Sequence, residues 1–223
     1  MTLRLVDVQQ SILRKNTTLA GELRDRFRRN GTFVLNVLSS PGSGKTTLLE
    51  ETLRRMSQRC RAAALVGDQA TENDAHRLSA SGAPVKQIVT GAECRLDAQM
   101  IAQALDDFPA DGIDLLVIEN VGNLICPAEY DLGEDLRVVL FSVTEGEDKP
   151  LKYPLAFTTS HAAVISKMDL AQAAAFDRET AVTNILRVNP GIAIMELSAR
   201  TGEGMDRWID FLQQRMAGKL APA

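Results

Sequence analysis

The sequence has no run of basic residues and no apolar stretch long enough to cross a bilayer. Its 25 Lys and Arg residues are outnumbered by 29 Asp and Glu residues, which argues against nucleic acid or an anionic membrane as the main partner. A membrane helix needs about 18 or more consecutive apolar residues, and the sequence contains no such segment. The opening residues also lack the charged, then apolar pattern of a secretory signal. We therefore expect a cytoplasmic protein that binds neither nucleic acid nor membrane.

Cysteine, histidine and aromatic residues are scarce. The three cysteines, Cys60, Cys94 and Cys126, are odd in number and widely spaced, which favours reduced thiols over a disulfide framework. The two histidines form no tract, so the sequence shows no His-rich segment that could store metal. Aromatic residues make up only 4% of the chain. The core must therefore be built mainly from Leu, Val, Ile and Ala.

Short apolar runs alternate with segments of helical periodicity. An amphipathic segment at about 7–29 predicts an N-terminal helix that ends near Gly31. Apolar runs of strand length follow at 33–38, 62–66, 85–89, 115–119, 138–143, 162–166 and 193–197. Helical patterns occur at 46–56, 96–105 and 205–216. This alternation predicts an α/β fold in one domain over 1–223, with a mostly parallel central sheet and helices on both faces. Ligands of such folds bind at the carboxyl ends of the strands.

A glycine-rich turn follows the first apolar run and precedes a helical segment. It reads Ser39-Ser40-Pro41-Gly42-Ser43-Gly44-Lys45-Thr46, which fits the P-loop pattern G-x-x-x-x-G-K-[ST] except that Ser39 replaces the first glycine. The amides of such a loop and the helix N-terminus bind phosphates. We expect a P-loop NTPase in which Lys45 is a catalytic cation at the β- and γ-phosphates and Thr46 is a magnesium ligand. The predicted nucleotide-binding residues of this loop are Pro41, Gly42, Ser43, Gly44, Lys45, Thr46 and Thr47.

Two carboxylates end predicted strands, where they can serve a magnesium nucleotide. Asp68 is expected to bind Mg²⁺ or orient the hydrolytic water, although it can alternatively cap the next helix with Asn73 or Asp74. Glu119 is a further expected magnesium ligand. It opens a Glu-x-x-Gly element that ends at Gly122, whose backbone amide can donate to a γ-phosphate and move when that phosphate leaves.

Two later motifs concern the base. Ser166-Lys167-Met168-Asp169 follows an apolar run and resembles the Asn-Lys-x-Asp guanine signature of GTPases. Asp169 is expected to accept hydrogen bonds from guanine N1 and N2, which adenine does not offer, and Lys167 to lie along the ring face. Ser198-Ala199-Arg200 resembles the Ser-Ala-Lys element whose backbone amide reaches the guanine oxygen. The motifs favour GTP over ATP, and the alternative for the first is a surface turn that caps a helix.

With these motifs in order, the sequence resembles the HypB family of hydrogenase nickel-incorporation GTPases, in the SIMIBI class. The resemblance covers nearly the whole chain and includes the segments 39–49, 67–75, 119–128, 144–150 and 198–205. Ser39 is the usual residue in that family. The resemblance implies slow intrinsic hydrolysis of GTP to GDP and a homodimer that depends on nucleotide or metal. It also implies nickel delivery to the hydrogenase large-subunit precursor, with a HypA-like chaperone as partner.

The resemblance also implies a Ni²⁺ or Zn²⁺ site at the dimer interface, with one departure. The family's Cys-His pair and second Cys fall on Cys94-Arg95 and Cys126. Arg95 has no lone pair to give, but two thiolates from each of two subunits can still form a tetrahedral site. In the alternative, both cysteines are small, half-buried apolar residues.

Two functional readings therefore stay open. The chain is either a metallochaperone GTPase for hydrogenase maturation or a nucleotide-dependent regulatory or scaffold paralogue that has lost metal binding. A urease-type accessory GTPase is disfavoured because its Cys-Pro-His motif is absent.

Overall fold

The computed structural model describes residues 2–69, 72–108 and 112–220, with only the backbone described for 2–9 and 220. In these ranges seven strands form one sheet in the order β3-β2-β4-β1-β5-β6-β7, and the neighbouring strands are parallel. The strands are β1 (Phe33–Ser39), β2 (Ala62–Asp68), β3 (Val85–Val89), β4 (Leu115–Gly122), β5 (Leu136–Ser142), β6 (Ala162–Ser166) and β7 (Ala193–Glu196).

Helices connect the strands and precede the first one. They are α1 (Thr2–Arg29), α2 (Lys45–Met56), α3 (Asn73–Ser79), α4 (Ala98–Ala104), α5 (Lys149–Lys152), α6 (Pro154–Thr158), α7 (Arg178–Val188) and α8 (Met205–Leu220). No helix in the described ranges is long and apolar enough to cross a membrane.

Both faces of the sheet are covered, so the inner strands are buried on both sides. On one face, Leu35 and Val37 of β1 lie in one apolar cluster with α2 and α8, where the Trp208 indole also donates to the Thr52 hydroxyl at 2.9 Å. The opposite face packs on α1 and α4 and, further along, on α6 and α7. All seven residues of β1 are buried, as a central parallel strand requires. The predicted α/β fold with a parallel sheet is confirmed.

The predicted strands are all present, and their ends differ for physical reasons. The sequence predicted that Glu119 ends its strand, and this is wrong. β4 continues to Gly122, which pairs with Ser39, because the polar residues after the apolar run still have a strand partner. Asp68 does end β2, and Glu72 occupies the N-cap position of α3. Ala70 and Thr71 of the 67–75 motif lie outside the described residues.

Candidate functional site

The loop between β1 and α2 has the backbone shape of a phosphate cradle. Gly42 and Gly44 have φ of +74° and +93°, a left-handed conformation that glycine adopts at little cost. Gly44 caps α2, so the loop leads directly into a helix N-terminus, where anions are stabilised. The loop lines a cavity of about 570 Å³, whose other walls include Asp68, Gly122 and Lys167.

A buried carboxylate lies beneath the cradle. Glu119 is fully buried, and its Oε1 accepts hydrogen bonds from Lys45 Nζ at 2.9 Å and from the Thr46 hydroxyl at 2.7 Å. Its Oε2 has no hydrogen-bond partner among the described residues. Asp68 lines the cavity, whereas Glu119 does not. The two predicted magnesium carboxylates therefore occupy different positions, one at the cavity wall and one behind Lys45 and Thr46.

The donor set fits a magnesium ion. Mg²⁺ prefers oxygen ligands and keeps much of its water shell, and Thr46 and Asp68 both line the same cavity. Because the Thr46 hydroxyl donates its proton to Glu119, its oxygen lone pairs remain available to a cation.

A second cavity, of about 370 Å³, shares Gly44, Thr47 and Lys167 with the first. The predicted base-reading residues line it, namely Lys167, Asp169, Ser198, Ala199 and Arg200. The two loops that carry them are joined by a hydrogen bond from the Met168 amide to the Leu197 carbonyl at 3.2 Å. The predicted phosphate-binding residues and the predicted base-reading residues thus line two adjoining cavities.

The base loop is also tied to the cradle. The buried Ser166 hydroxyl lies 2.6 Å from the Ser43 carbonyl oxygen, to which it can donate. Lys167 has φ of +59°, and its Nζ donates to the Gly42 carbonyl at 2.6 Å. Ser166, which stands where the GTPase signature has Asn, therefore makes a bracing contact to the phosphate loop.

Cys94 and Cys126 come together from different loops. Cys94 follows β3, and Cys126 begins a short 3₁₀ turn after β4. Hydrogen bonding to the Cys126 thiol, and secondarily burial, raises the pKa of Cys94 above its ordinary value. Cys60 instead precedes the amino end of β2, in a cleft with Ser57 and Pro84. The structure therefore pairs the two predicted metal ligands and places the third cysteine at the opposite edge of the sheet.

Arg95, in the position of the family's histidine, is engaged by other groups. Its guanidinium lies 4.0 Å from the centroid of the Tyr130 ring and pairs with Glu93. Stacking and the carboxylate both stabilise the charged group. Arg95 therefore contributes a contact between the two cysteine loops, and its charge is compensated locally.

The motifs did not predict that two residues of α3 lie at the phosphate cavity. Asp74 and Arg77 of α3 line its wall, and Arg77 Nη2 donates to the Thr47 hydroxyl at 3.0 Å and to Glu50 at 2.9 Å. Leu78 is the only buried residue of this seven-residue helix. The sequence of α3 therefore has no apolar periodicity from which the helix could have been predicted.

A strand, a glycine-rich phosphate loop and a helix, beside two adjoining cavities, define a P-loop nucleotide-binding protein. Residues 33–196 match the family model described as CobW/HypB/UreG, nucleotide-binding domain. The chain is 50% identical over 215 residues to the hydrogenase maturation factor HypB of Escherichia coli strain K12, covering 96% of this chain and 74% of that one.

Two solved structures are similar along nearly their whole length. HypB from Helicobacter pylori, in complex with nickel, gives a TM-score of 0.87 at 37% identity, covering 94% of this chain and 98% of that one. HypB from Archaeoglobus fulgidus gives 0.84 at 41% identity, covering 91% and 98%. The chain belongs to the HypB family, and the resemblance noted from its motifs is confirmed.

The Ser166 contact generates a prediction about the cradle. Ser166→Ala should lower the free energy of unfolding by about 1–2 kcal/mol, since it removes a buried hydrogen bond, and should weaken GDP binding several-fold because the cradle loses its brace. Urea unfolding and nucleotide titration measure the two effects.

Ser160→Ala is the matched control. Its hydroxyl is equally buried but donates to Ala156, at 2.6 Å, away from the cradle. It should cost similar stability and leave GDP affinity unchanged. Equal losses of affinity in the two variants would show that the effect is one of general stability.

Proposed function

We propose that this protein is a GTP-hydrolysing metallochaperone switch for nickel insertion into [NiFe]-hydrogenase. One observation carries the proposal. The cavities lined by the predicted nucleotide-binding residues, and the loops that carry Cys94 and Cys126, both lie at the carboxyl ends of the strands of one parallel sheet. The names of the relatives, and the nickel bound to the H. pylori relative, support the same function. Partners would be a HypA-like nickel chaperone and the hydrogenase large-subunit precursor.

The phosphate cavity supports hydrolysis of GTP to GDP. The loop amides and Lys45 would neutralise charge on the phosphates as the bond to the γ-phosphate breaks. Mg²⁺ would supply further charge neutralisation there, held by Thr46 and Asp68. Asp68 would also orient the attacking water, and the Gly122 amide would contact the γ-phosphate. Slow intrinsic turnover is expected from the resemblance to the HypB family.

Glu119 would act behind this site. Its buried carboxylate orients both the Lys45 ammonium and the Thr46 hydroxyl. Glu119 would therefore act on the magnesium ion indirectly, by orienting Thr46, and not as the magnesium ligand expected from the sequence.

The cysteine pair supports binding of a soft or borderline cation as cargo. The described residues contain no group of three His, Cys, Asp or Glu that could hold a metal, so a protomer offers two thiols and not a full tetrahedral set. A two-fold dimer would supply four. A cytoplasmic location suits thiols that must stay reduced.

The competing function is a regulatory or scaffold paralogue that switches with nucleotide and binds no metal. Arg95 favours it, because the family's nitrogen ligand is missing. The positive charge of Arg95 is no obstacle to a cation nearby, however, because it is compensated by Glu93 of its own loop and by the Tyr130 ring of the other.

The assignment of Lys45 predicts a loss of hydrolysis. Lys45→Ala should lower GTP turnover by about a hundredfold or more, because a preorganised charge at the reacting phosphate is removed. Phosphate release measures it. Lys219→Ala is the control: Lys219 makes a similar ion pair with Asp135 at 2.6 Å, at the amino edge of the sheet, and its loss should leave turnover unchanged. Turnover by a folded Lys45→Ala protein at the wild-type rate would contradict the assignment.

The assignment of Asp169 predicts a change of base preference. Asp169→Asn should lower the preference for GTP over xanthosine triphosphate by about a hundredfold or more, because an amide complements the extra carbonyl of xanthine and leaves guanine donors unpaired. Competition binding with both nucleotides measures the ratio. Asp177→Asn, which alters a carboxylate that caps α7, should not change it. Intact guanine selectivity in Asp169→Asn would disprove the assignment.

Metal titration separates the metallochaperone from the paralogue. Wild-type protein should bind Ni²⁺ or Zn²⁺, and Cys94→Ala and Cys126→Ala should each abolish binding, since both remove ligands from a shared site. Cys60→Ala should bind as wild type does. The absence of binding by wild type in both the GDP and the GTP state would favour the metal-free alternative.

A further inference from the structure

The two thiols are carried by loops that are far apart in sequence. The first cysteine segment, residues 90–97, joins β3 to α4, and the second cysteine segment, residues 123–131, follows β4. They touch at the surface, where Asn123 Nδ2 donates to the Cys94 carbonyl at 3.4 Å. Connecting segments are generally the mobile parts of a fold. A fixed spacing of the thiols therefore requires support from the layer beneath.

One buried amide bridges the ends of both segments. Asn16 of α1, which is 7% exposed, accepts a hydrogen bond from the Ala98 amide through Oδ1 at 2.8 Å. Its Nδ2 donates to the Asp131 carbonyl, also at 2.8 Å. Ala98 directly follows the first segment, and Asp131 ends the second. A single side chain thus connects the two backbones.

Two buried side chains from the sheet hold the segments from below. Asn120 of β4 accepts a hydrogen bond from the Leu96 amide at 3.2 Å. Arg137 of β5 donates to the Ala128 carbonyl at 3.0 Å and to the Tyr130 carbonyl at 2.8 Å. Leu96 lies two residues after Cys94, and Ala128 lies two residues after Cys126. Each segment is therefore anchored close to its thiol.

These anchors are joined to each other inside the protein. Asn120 donates to Asn36 at 3.4 Å, Asn36 donates to Glu134 at 3.2 Å, and Glu134 accepts from Arg137 Nε at 2.6 Å. We call these side chains, with Asn16, the polar frame; its members are Asn16, Asn36, Asn120, Glu134 and Arg137. The frame is continuous from the first segment to the second.

The energetics indicate that the frame has a positional role. Buried amides and ion pairs cost free energy unless they are fully bonded, and apolar residues often give equal stability in their place. The frame nevertheless lies between apolar clusters on one face of the sheet. A bonded polar network in a medium of low dielectric fixes one geometry, since each bond has a preferred direction.

We propose that Asn16 and Arg137, with the rest of the polar frame, are positioning residues that set the separation of the Cys94 and Cys126 thiols. Each protomer then presents a preformed two-thiol half-site to a soft divalent cation. This inference gives the proposed metal function its geometry, but the spacing of the thiols can be measured without any metal ion.

Phenylarsine oxide is the probe for that spacing. Its trivalent arsenic bonds to two neighbouring thiols with release of one water and without oxidation of sulfur. In a Cys60→Ala background with chelator present, the parent should bind it about a hundredfold more tightly than Cys94→Ala or Cys126→Ala, because the second bond forms within the same molecule.

The test variants loosen the frame and keep both thiols. Asn16→Ala removes the bridge between the segments, and Arg137→Lys keeps a cation beside Glu134 but cannot hold both carbonyls in the same way. Each should weaken arsenical binding about tenfold, because the effective concentration of the second thiol falls. Iodoacetamide reacts with one thiol at a time, so its rate of alkylation of Cys94 and of Cys126 should change much less.

Asn189→Ala is the matched control. Asn189 also bridges segments through its side-chain amide, donating to Phe157 at 2.9 Å and accepting from Gly191 at 3.2 Å, far from the cysteines in the fold. It should cost stability and leave arsenical affinity unchanged. Lost stability with unchanged arsenical affinity in Asn16→Ala and Arg137→Lys would overturn the proposal and leave the frame a purely structural network.

The two proposals fail separately. If the frame variants lose arsenical affinity while wild type binds no Ni²⁺ or Zn²⁺, the positioning role stands and the metal function falls. If wild type binds metal through Cys94 and Cys126 while the frame variants keep wild-type arsenical affinity, the metal function stands and the positioning role falls.

Discussion

The buried contact of Glu119 with Lys45 and Thr46 is the interaction on which the nucleotide site depends. A carboxylate taken out of water is costly unless charge and hydrogen bonds compensate it. Here the ammonium and the hydroxyl both bond to one carboxylate oxygen. The start of α2 is thereby tied to β4, the neighbour of β1 in the sheet, and the phosphate loop connects β1 to that tie. The cradle keeps its shape because its two ends are fixed to neighbouring strands.

The alternation of side chains along β4 extends this constraint to the cysteines. Successive residues of a strand point to opposite faces, so Glu119 faces α2 while Asn120 faces the polar frame. The nucleotide site and the first cysteine segment are consequently contacted by adjacent residues of one strand. One strand therefore supports the phosphate loop through Glu119 and the first cysteine segment through Asn120.

The sequence predicted those parts of this arrangement that depend on local pattern. The strands are continuous apolar runs, and the phosphate loop has a spacing that few other structures require. Asn36 and Asn120 could not be assigned, because a polar residue in or after an apolar run does not reveal which buried groups it will meet. Asn16 reads as an ordinary polar residue of an amphipathic helix. Their partners lie 98, 84 and 82 positions away, so only the packing of the chain brings them together.

Arg95 stands where the proposed metal site would otherwise have a nitrogen ligand. A histidine in that position would contribute a nitrogen to the metal, whereas the guanidinium lies against Tyr130 of the other cysteine segment and joins the two loops. The donor atoms that remain are sulfurs, and thiolates in a tetrahedral set favour zinc and other soft or borderline cations over hard ones. In the proposed metal site, this substitution would leave sulfur as the only kind of donor and would favour those cations. In our proposal the polar frame sets the spacing of the thiols. Its side chains bond to the backbones of the two cysteine segments and do not depend on the identity of residue 95.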